Sequence, residues 1–274
     1  MKKRLLAMAL ATVMLFGLAA CSTTSSSSGG TSTPASGSTP VDSSTPEDSS
    51  TPEETGSEAV ELWIVRHGET LFNVKGFAQG WSDAPLTDNG VASSGYVGAG
   101  LKDAGITFDA AYTSDMTRCI ETSGYLLDAM GSSLTATPDA RFREMNFGIY
   151  EGTPSSELRE AYPNIYEWQT FEGFEGGEDW LTFIARIEDG LTEIGEANAG
   201  TGGKVLVTAH GFVQAALMFD LAEDFVPSSD ALPNNGVMVV EYKDGALTLK
   251  SAPDRSYLDK GMELAGVEPS SAAH

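Results

Sequence analysis

Arg66 and His67 stand side by side, followed by Gly68, Glu69 and Thr70. The arginine is permanently charged and offers a planar fork of donors suited to phosphate or carboxylate. A neutral imidazole beside it can attack an electrophilic phosphorus without first losing a proton. A second histidine has a similar setting, Ala209-His210-Gly211. The chain has three histidines, and the third, His274, is its last residue. Imidazole chemistry therefore rests on His67 and His210. A glycine after each suits a close backbone approach or an unusual turn. At Gly68 the expectation is room for a phosphate. An isolated Arg-His pair also fits a salt-bridged strand end, so the surrounding residues must decide.

Both histidines end short apolar runs, 60–65 and 204–209, which read as strands. Thr87 is placed to cap a helix running to about Lys102. A short strand follows at 109–113, then a helix over 115–130 that Gly131 stops. Ser114 is expected to cap that helix rather than to orient Arg118. Residues 134–137 read as a strand, and 155–161 and 178–197 as helices. The last of these carries Leu181, Ile184, Ile187, Leu191 and Ile194 at nearly helical spacing. A helix over 212–221 and a hairpin of 237–242 with 246–251 complete the pattern. The alternation predicts an α/β three-layer sandwich, a mostly parallel central sheet flanked by helices. In such sheets ligands sit beyond the carboxyl ends of the strands, where both histidines lie. They share a site only if their strands are neighbours.

The motifs, in their order, resemble those of the histidine phosphatase superfamily in its phosphoglycerate mutase-like branch. They are Arg66-His67-Gly68-Glu69-Thr70 with Asn73, Gly80 through Gly90, Ser114 through Thr122, Arg143 through Gly152, and Ala209-His210-Gly211. The resemblance covers roughly residues 60–255. It implies a phosphoglycerate mutase-like fold and transfer of a phosphoryl group, with neither metal nor cofactor. Under it, His67 would be the nucleophile that becomes phosphohistidine. Arg66, Arg118 and His210 would hold the transferring group. Glu144 would protonate the leaving alcohol and later activate water. Asn73, Thr70 and Gly80 would be further substrate contacts.

Glu144 must be protonated to act as the acid, and the sequence leaves open whether burial or the arginines set its pKa. Glu69 falls outside the acid role, and Glu151 is expected to shape a loop. Cys119 reads as a buried structural thiol, and Trp63 and Trp81 as packing residues. The acid phosphatase and phytase branch reads Arg-His-Gly-x-Arg-x-Pro with a later His-Asp, which this chain lacks. Mutases carry paired arginines and a lysine after the acid motif. Here residues 152–180 hold one basic residue, Arg159, among Glu157, Glu160, Glu167, Glu172, Glu175, Glu178 and Asp179. That favours hydrolysis of a small phosphorylated substrate over a mutase reaction. A non-catalytic surface protein binding a phosphorylated ligand is a third reading. The 152–180 segment is expected to cover the site, with its acids disfavouring polyanionic substrates.

With 39 acidic and 16 basic residues, the net charge is −23. That argues against a nucleic-acid partner, while still allowing a locally positive pocket. Lys2, Lys3 and Arg4 precede an apolar run at 5–17, too short for a comfortable membrane span. Leu18-Ala19-Ala20-Cys21 resembles a bacterial lipobox. The resemblance implies removal of the preceding residues and lipid on Cys21; simple secretory cleavage near Ala20 is the alternative. Residues 22–58 hold six acids and neither Lys nor Arg, the composition of a disordered tether. This divides the chain into a signal peptide at 1–21, a tether at 22–58 and a catalytic domain at 59–274. It implies membrane attachment through Cys21 on the extracytoplasmic face. Cys119 is then left without a disulfide partner. No feature of the sequence speaks to oligomeric state.

Overall fold

The computed structural model describes residues 58–200, 202–222, 224–227 and 231–268. The leader, Cys21, nearly all of the tether, and His274 lie outside the described residues. In chain order the elements are β1 Val60–Arg66, α1 Leu71–Lys75, α2 Asp88–Asp103, β2 Ala110–Thr113, α3 Thr117–Met130 and β3 Thr137–Pro138. Then come α4 Ser155–Ala161, α5 Trp180–Ala197, β4 Lys204–Ala209, α6 Gly211–Leu221, β5 Val237–Lys243, β6 Ala246–Asp254 and α7 Ser256–Leu264.

The six strands form one sheet in the order β3-β2-β4-β1-β5-β6. The pairs β1–β4, β2–β4 and β2–β3 are parallel, while β5 runs antiparallel to both neighbours. The architecture is therefore the expected α/β sandwich with a mostly parallel sheet. The side chains of β1 explain the layers. Val60, Leu62 and Ile64 join a core with Phe183, Ile187 and Leu191 of α5 and Val213 and Leu217 of α6. Trp63 and Val65 face the other way, against Val97 and Leu101 of α2, Leu126 of α3 and Leu258 of α7. A strand covered on both faces reads as a continuous apolar run, as this one does. Each fully buried aliphatic side chain contributes about 1.5–3 kcal/mol, so β1 is anchored from both sides.

Register settles the geometry of the site. Arg66 pairs with Ala209, and Thr113 pairs with Thr208. The next residues, His67, His210 and Ser114, thus leave the sheet side by side. Several expectations change. The strand expected at 134–137 is only Thr137–Pro138, since its one sheet neighbour is β2. Helix α3 begins at Thr117, and Ser114 does not cap it; instead the Thr117 amide donates to Asp83 Oδ2 at 2.6 Å. Helices α1 and α7 were not anticipated. Among the described residues no helix is long and apolar enough to cross a membrane.

Candidate active site

A cleft of about 300 Å³ opens beyond the carboxyl ends of β1 and β4. Arg66, His67, Asn73 and Glu144 line it. His67 is buried, and its Nδ1 lies 2.8 Å from the Gly68 carbonyl. A carbonyl only accepts, so Nδ1 carries the proton and Nε2 keeps its lone pair. Burial pushes the His67 pKa well below its ordinary value, and the charges of Arg118 and Arg66 push it further down. The imidazole is therefore neutral and nucleophilic at Nε2.

The two glycines after the histidines serve different neighbours. A Cβ on Gly68 would come within 2.6 Å of the Gly90 carbonyl of α2. Its room is for that helix, which corrects the expectation of a space for phosphate. A Cβ on Gly211 would lie 3.2 Å from Arg66 Nε, so Gly211 lets the guanidinium lie against the start of α6. Arg66 donates through one terminal nitrogen to the Leu232 carbonyl, while its Nε is buried without a partner. Gln79, also on the cleft, has a buried Nε2 with no partner. Its Oε1 accepts from the Thr70 hydroxyl at 2.6 Å. Unpartnered buried donors are costly, and both belong to residues that line the cleft.

Glu144 is buried, and its carboxylate accepts from the amides of Met145 at 2.9 Å and Phe212 at 3.2 Å. Burial raises its pKa; those amides and the charges of Arg118 and Arg66 oppose this without cancelling it. In the balance left open by the sequence, burial thus outweighs the arginines. Arg186 of α5 holds the preceding segment in place, donating to the carbonyls of Arg141, Arg143 and Glu144 and to both oxygens of Glu178. Glu151 shapes the loop as expected, accepting from the amides of Gly80, Trp81, Ser82 and Phe147.

Arg118, His210, Thr70 and Gly80 do not line the cleft. Arg118 is fully buried, and its five N–H donors go to His210 Nδ1, the Ser82, Gln79 and Gly80 carbonyls, and Asp83. Since Arg118 Nε only donates, His210 Nδ1 accepts, and His210 Nε2 donates to the Ser114 hydroxyl at 2.9 Å. Ser114 therefore orients His210 rather than capping a helix. The His67 and His210 rings are 5.3 Å apart. In this arrangement Arg118 acts on the site through its charge. Thr70 forms a capping box with Asn73 at the start of α1. The Asn73 oxygen accepts from the Thr70 amide at 3.0 Å, which leaves its Nδ2 edge for a ligand. Cys119 is buried with Sγ 3.3 Å from the Ala209 carbonyl. Trp63 packs in the core; Trp81 is half exposed beneath Arg143, with its indole N–H on the Glu144 carbonyl. Among the described residues no cluster of acids, histidines and cysteines is placed to hold a metal ion.

Sequence reasoning missed Gln79, Phe212 and Arg186. The first two had a signal: Gln79 adjoins the Gly80 motif, and Phe212 supplies an amide in the first turn of α6, where anions are favoured. Arg186 had none, because its partners in the acid-bearing segment are main-chain atoms far away in sequence. The 152–180 segment does cover the site, through Ser155, Leu158, Arg159, Ile165 and Tyr166, but none of its seven acids lines the cleft.

Comparison with known proteins places this geometry in a family. The chain matches the histidine phosphatase superfamily (branch 1) over residues 62–255, and it belongs to that superfamily. It is 30% identical over 203 residues to a 2,3-bisphosphoglycerate-dependent phosphoglycerate mutase of Xanthobacter autotrophicus, covering 72% of this chain and 94% of the relative. Among solved structures it is similar to a phosphoglycerate mutase from Bacillus anthracis, with TM-score 0.63 and 33% identity over 76% of this chain and 99% of the other. It is also similar to Bacillus stearothermophilus YhfR, with TM-score 0.62 and 27% identity over 73% of this chain and 99% of the other.

Proposed function

We propose that the protein is a phosphomonoester hydrolase working through phosphohistidine at His67, on a small phosphorylated substrate. The observation that carries this reading is the His67 tautomer: Nδ1 is tied to Gly68 and Nε2 is left as an uncharged nucleophile. In the first step the Nε2 lone pair attacks phosphorus. The bond from phosphorus to the ester oxygen breaks, and the Glu144 proton passes to the leaving alcohol. Arg66, Gln79 and the charge of Arg118 stabilise the phosphoryl oxygens. In the second step water attacks phosphorus, Glu144 takes a water proton, and the P–N bond breaks to release phosphate and neutral His67. Rapid quenching during turnover should trap acid-labile, base-stable phosphate on His67. Persistence of phosphate release in His67→Ala would remove the assignment and leave a binding protein or another nucleophile.

A mutase reaction is the second reading, favoured by the names of the relatives. It needs positive charge for two phosphates, and the 152–180 segment brings only Arg159 to the cleft. Supplying a bisphosphate and a monophosphate acceptor, then separating free phosphate from transferred phosphate, decides between the two. Lipid on Cys21 and an extracytoplasmic location complete the proposal, supported by the Leu18-Ala19-Ala20-Cys21 motif.

A further inference from the structure

Beside its charged groups the cleft has an apolar lining. Phe77, Phe147, Leu158, Ile165, Tyr166 and Phe212 form most of it. Phe212 is fixed by stacking on Trp180 at 5.0 Å and by edge contact with Phe147 at 5.4 Å. Tyr166 tilts over Phe212 at 5.9 Å. A rigid aromatic wall of this kind favours a flat apolar body over a polyol. The volume, about 300 Å³, is at the low end for ligand clefts, which fits one ring rather than a polymer.

The exception in that wall is Arg159. It is the one basic residue of an acid-rich segment, and it reaches the cleft when none of the seven acids does. Glu157 and Glu160 are near it in sequence, yet among the described residues the Arg159 side chain makes neither hydrogen bond nor ion pair. The Tyr166 hydroxyl lies within electrostatic reach of Arg159 as well as of Glu144 and Arg66. The aromatic residues, the reacting residues and this unpaired guanidinium thus share one cleft. One planar guanidinium matches one carboxylate, whereas a second phosphate dianion would call for more than one cation.

We infer that the preferred substrate is a phosphomonoester of a single-ring apolar alcohol bearing a carboxylate at its far end, the ring lying along Tyr166 and Phe212 and the carboxylate meeting Arg159. The inference rests on the hydrolase reading for its chemistry but not for its binding. The test compares benzyl phosphate, its 3- and 4-carboxy derivatives and their carboxamide isosteres, which share one type of leaving alcohol. In wild type, the better carboxylate should exceed its carboxamide by about fivefold in kcat/KM, the scale of one partly exposed ion pair. Arg159→Met keeps the aliphatic stem and should bring that ratio to about one. Equal rates for carboxylate and carboxamide in wild type, or a preference surviving in Arg159→Met, would overturn the assignment. So would glycerol phosphate turned over as well as benzyl phosphate, or a xylylene bisphosphate preferred over the carboxylate.

Calorimetry with the carboxy- and carbamoyl-benzylphosphonates, which cannot be hydrolysed, reads the same subsite without turnover. Discrimination there, with no phosphate released from any ester, would overturn the hydrolase reading and leave the subsite standing. Hydrolysis of benzyl phosphate without discrimination would overturn the subsite alone.

Discussion

At Glu144 opposing influences meet on one carboxyl. Burial raises its pKa, two amides and two guanidinium charges lower it, and burial wins. The protonated acid therefore persists above the ordinary carboxylate range and is lost as pH rises through the raised value. His67 is shifted the other way, well below 6.5, so it adds no acidic limb near neutrality. The expected pH profile of kcat, which reports the enzyme–substrate complex, is one descending alkaline limb. Glu144→Gln should flatten that limb and slow alkyl phosphate hydrolysis by about 10²–10⁴-fold. Aryl phosphates, whose leaving groups need less protonation, should lose less. A rise centred near 6.5, or an alkaline limb unchanged in the glutamine variant, would contradict the assignment. The types of the reacting residues were legible in the sequence, and their wiring was not. His67 and Glu144 stand where the motifs suggested. That Arg118 has no free donor could not be read, because four of its partners come from the 79–83 loop, brought to α3 by folding.

Helix α5 shows how an element away from the chemistry positions it. Its apolar stripe was plain in the sequence, while the polar residues that tie it to its neighbours were not. Arg186 satisfies three carbonyls of the acid-bearing segment as well as Glu178, and it lies over the Phe183 ring at 4.5 Å. Removing it leaves those groups unpaired, at a cost of about 1–3 kcal/mol. Arg186→Met should lower kcat more than it raises KM, along with the denaturation midpoint. Arg186→Lys should rescue little, since a point charge cannot span that fork. Full kcat in either variant would show that the clamp does not position Glu144. Two residues on, Glu188 is pushed up to about 7 by burial and by hydrogen-bond and charge contact with Asp220 of α6. A carboxyl with a raised folded pKa costs stability as pH rises from about 4.5 to 7, because the unfolded chain releases its proton first. Glu188→Gln should therefore raise the melting temperature at about pH 8 and change it little at about pH 4. The reverse ordering would remove the pair as the cause. Helices α1 and α7 escaped the sequence reading for a related reason. Helix α1 has five residues, none of them buried, too short to show an apolar stripe. Helix α7 buries only Leu258, Gly261 and Met262, too sparse a stripe to stand out before α2 is there to meet it.

At the scale of the whole molecule, charge and attachment act against each other. A net charge of −23 repels an anionic leaflet, so surface electrostatics cannot hold the protein to a membrane. Among the described residues no helix can span one either. The proposed lipid on Cys21 would supply the attachment, through apolar transfer worth about 0.8 kcal/mol per buried methylene. This has a distinctive consequence. Electrostatic binding weakens with salt, whereas lipid insertion in an acidic protein should be unaffected or strengthened. The full chain made in a bacterial host should incorporate labelled fatty acid and stay in the membrane fraction through a wash of about 1 M salt, which leaves a Debye length of only ~3 Å. Cys21→Ser should take up no label and move to the soluble fraction while keeping the proposed phosphatase activity, since the residues lining the cleft begin at Arg66. Release of the wild type by salt, or retention of the serine variant in the membrane fraction, would overturn the lipid anchor and leave the catalytic reading untouched.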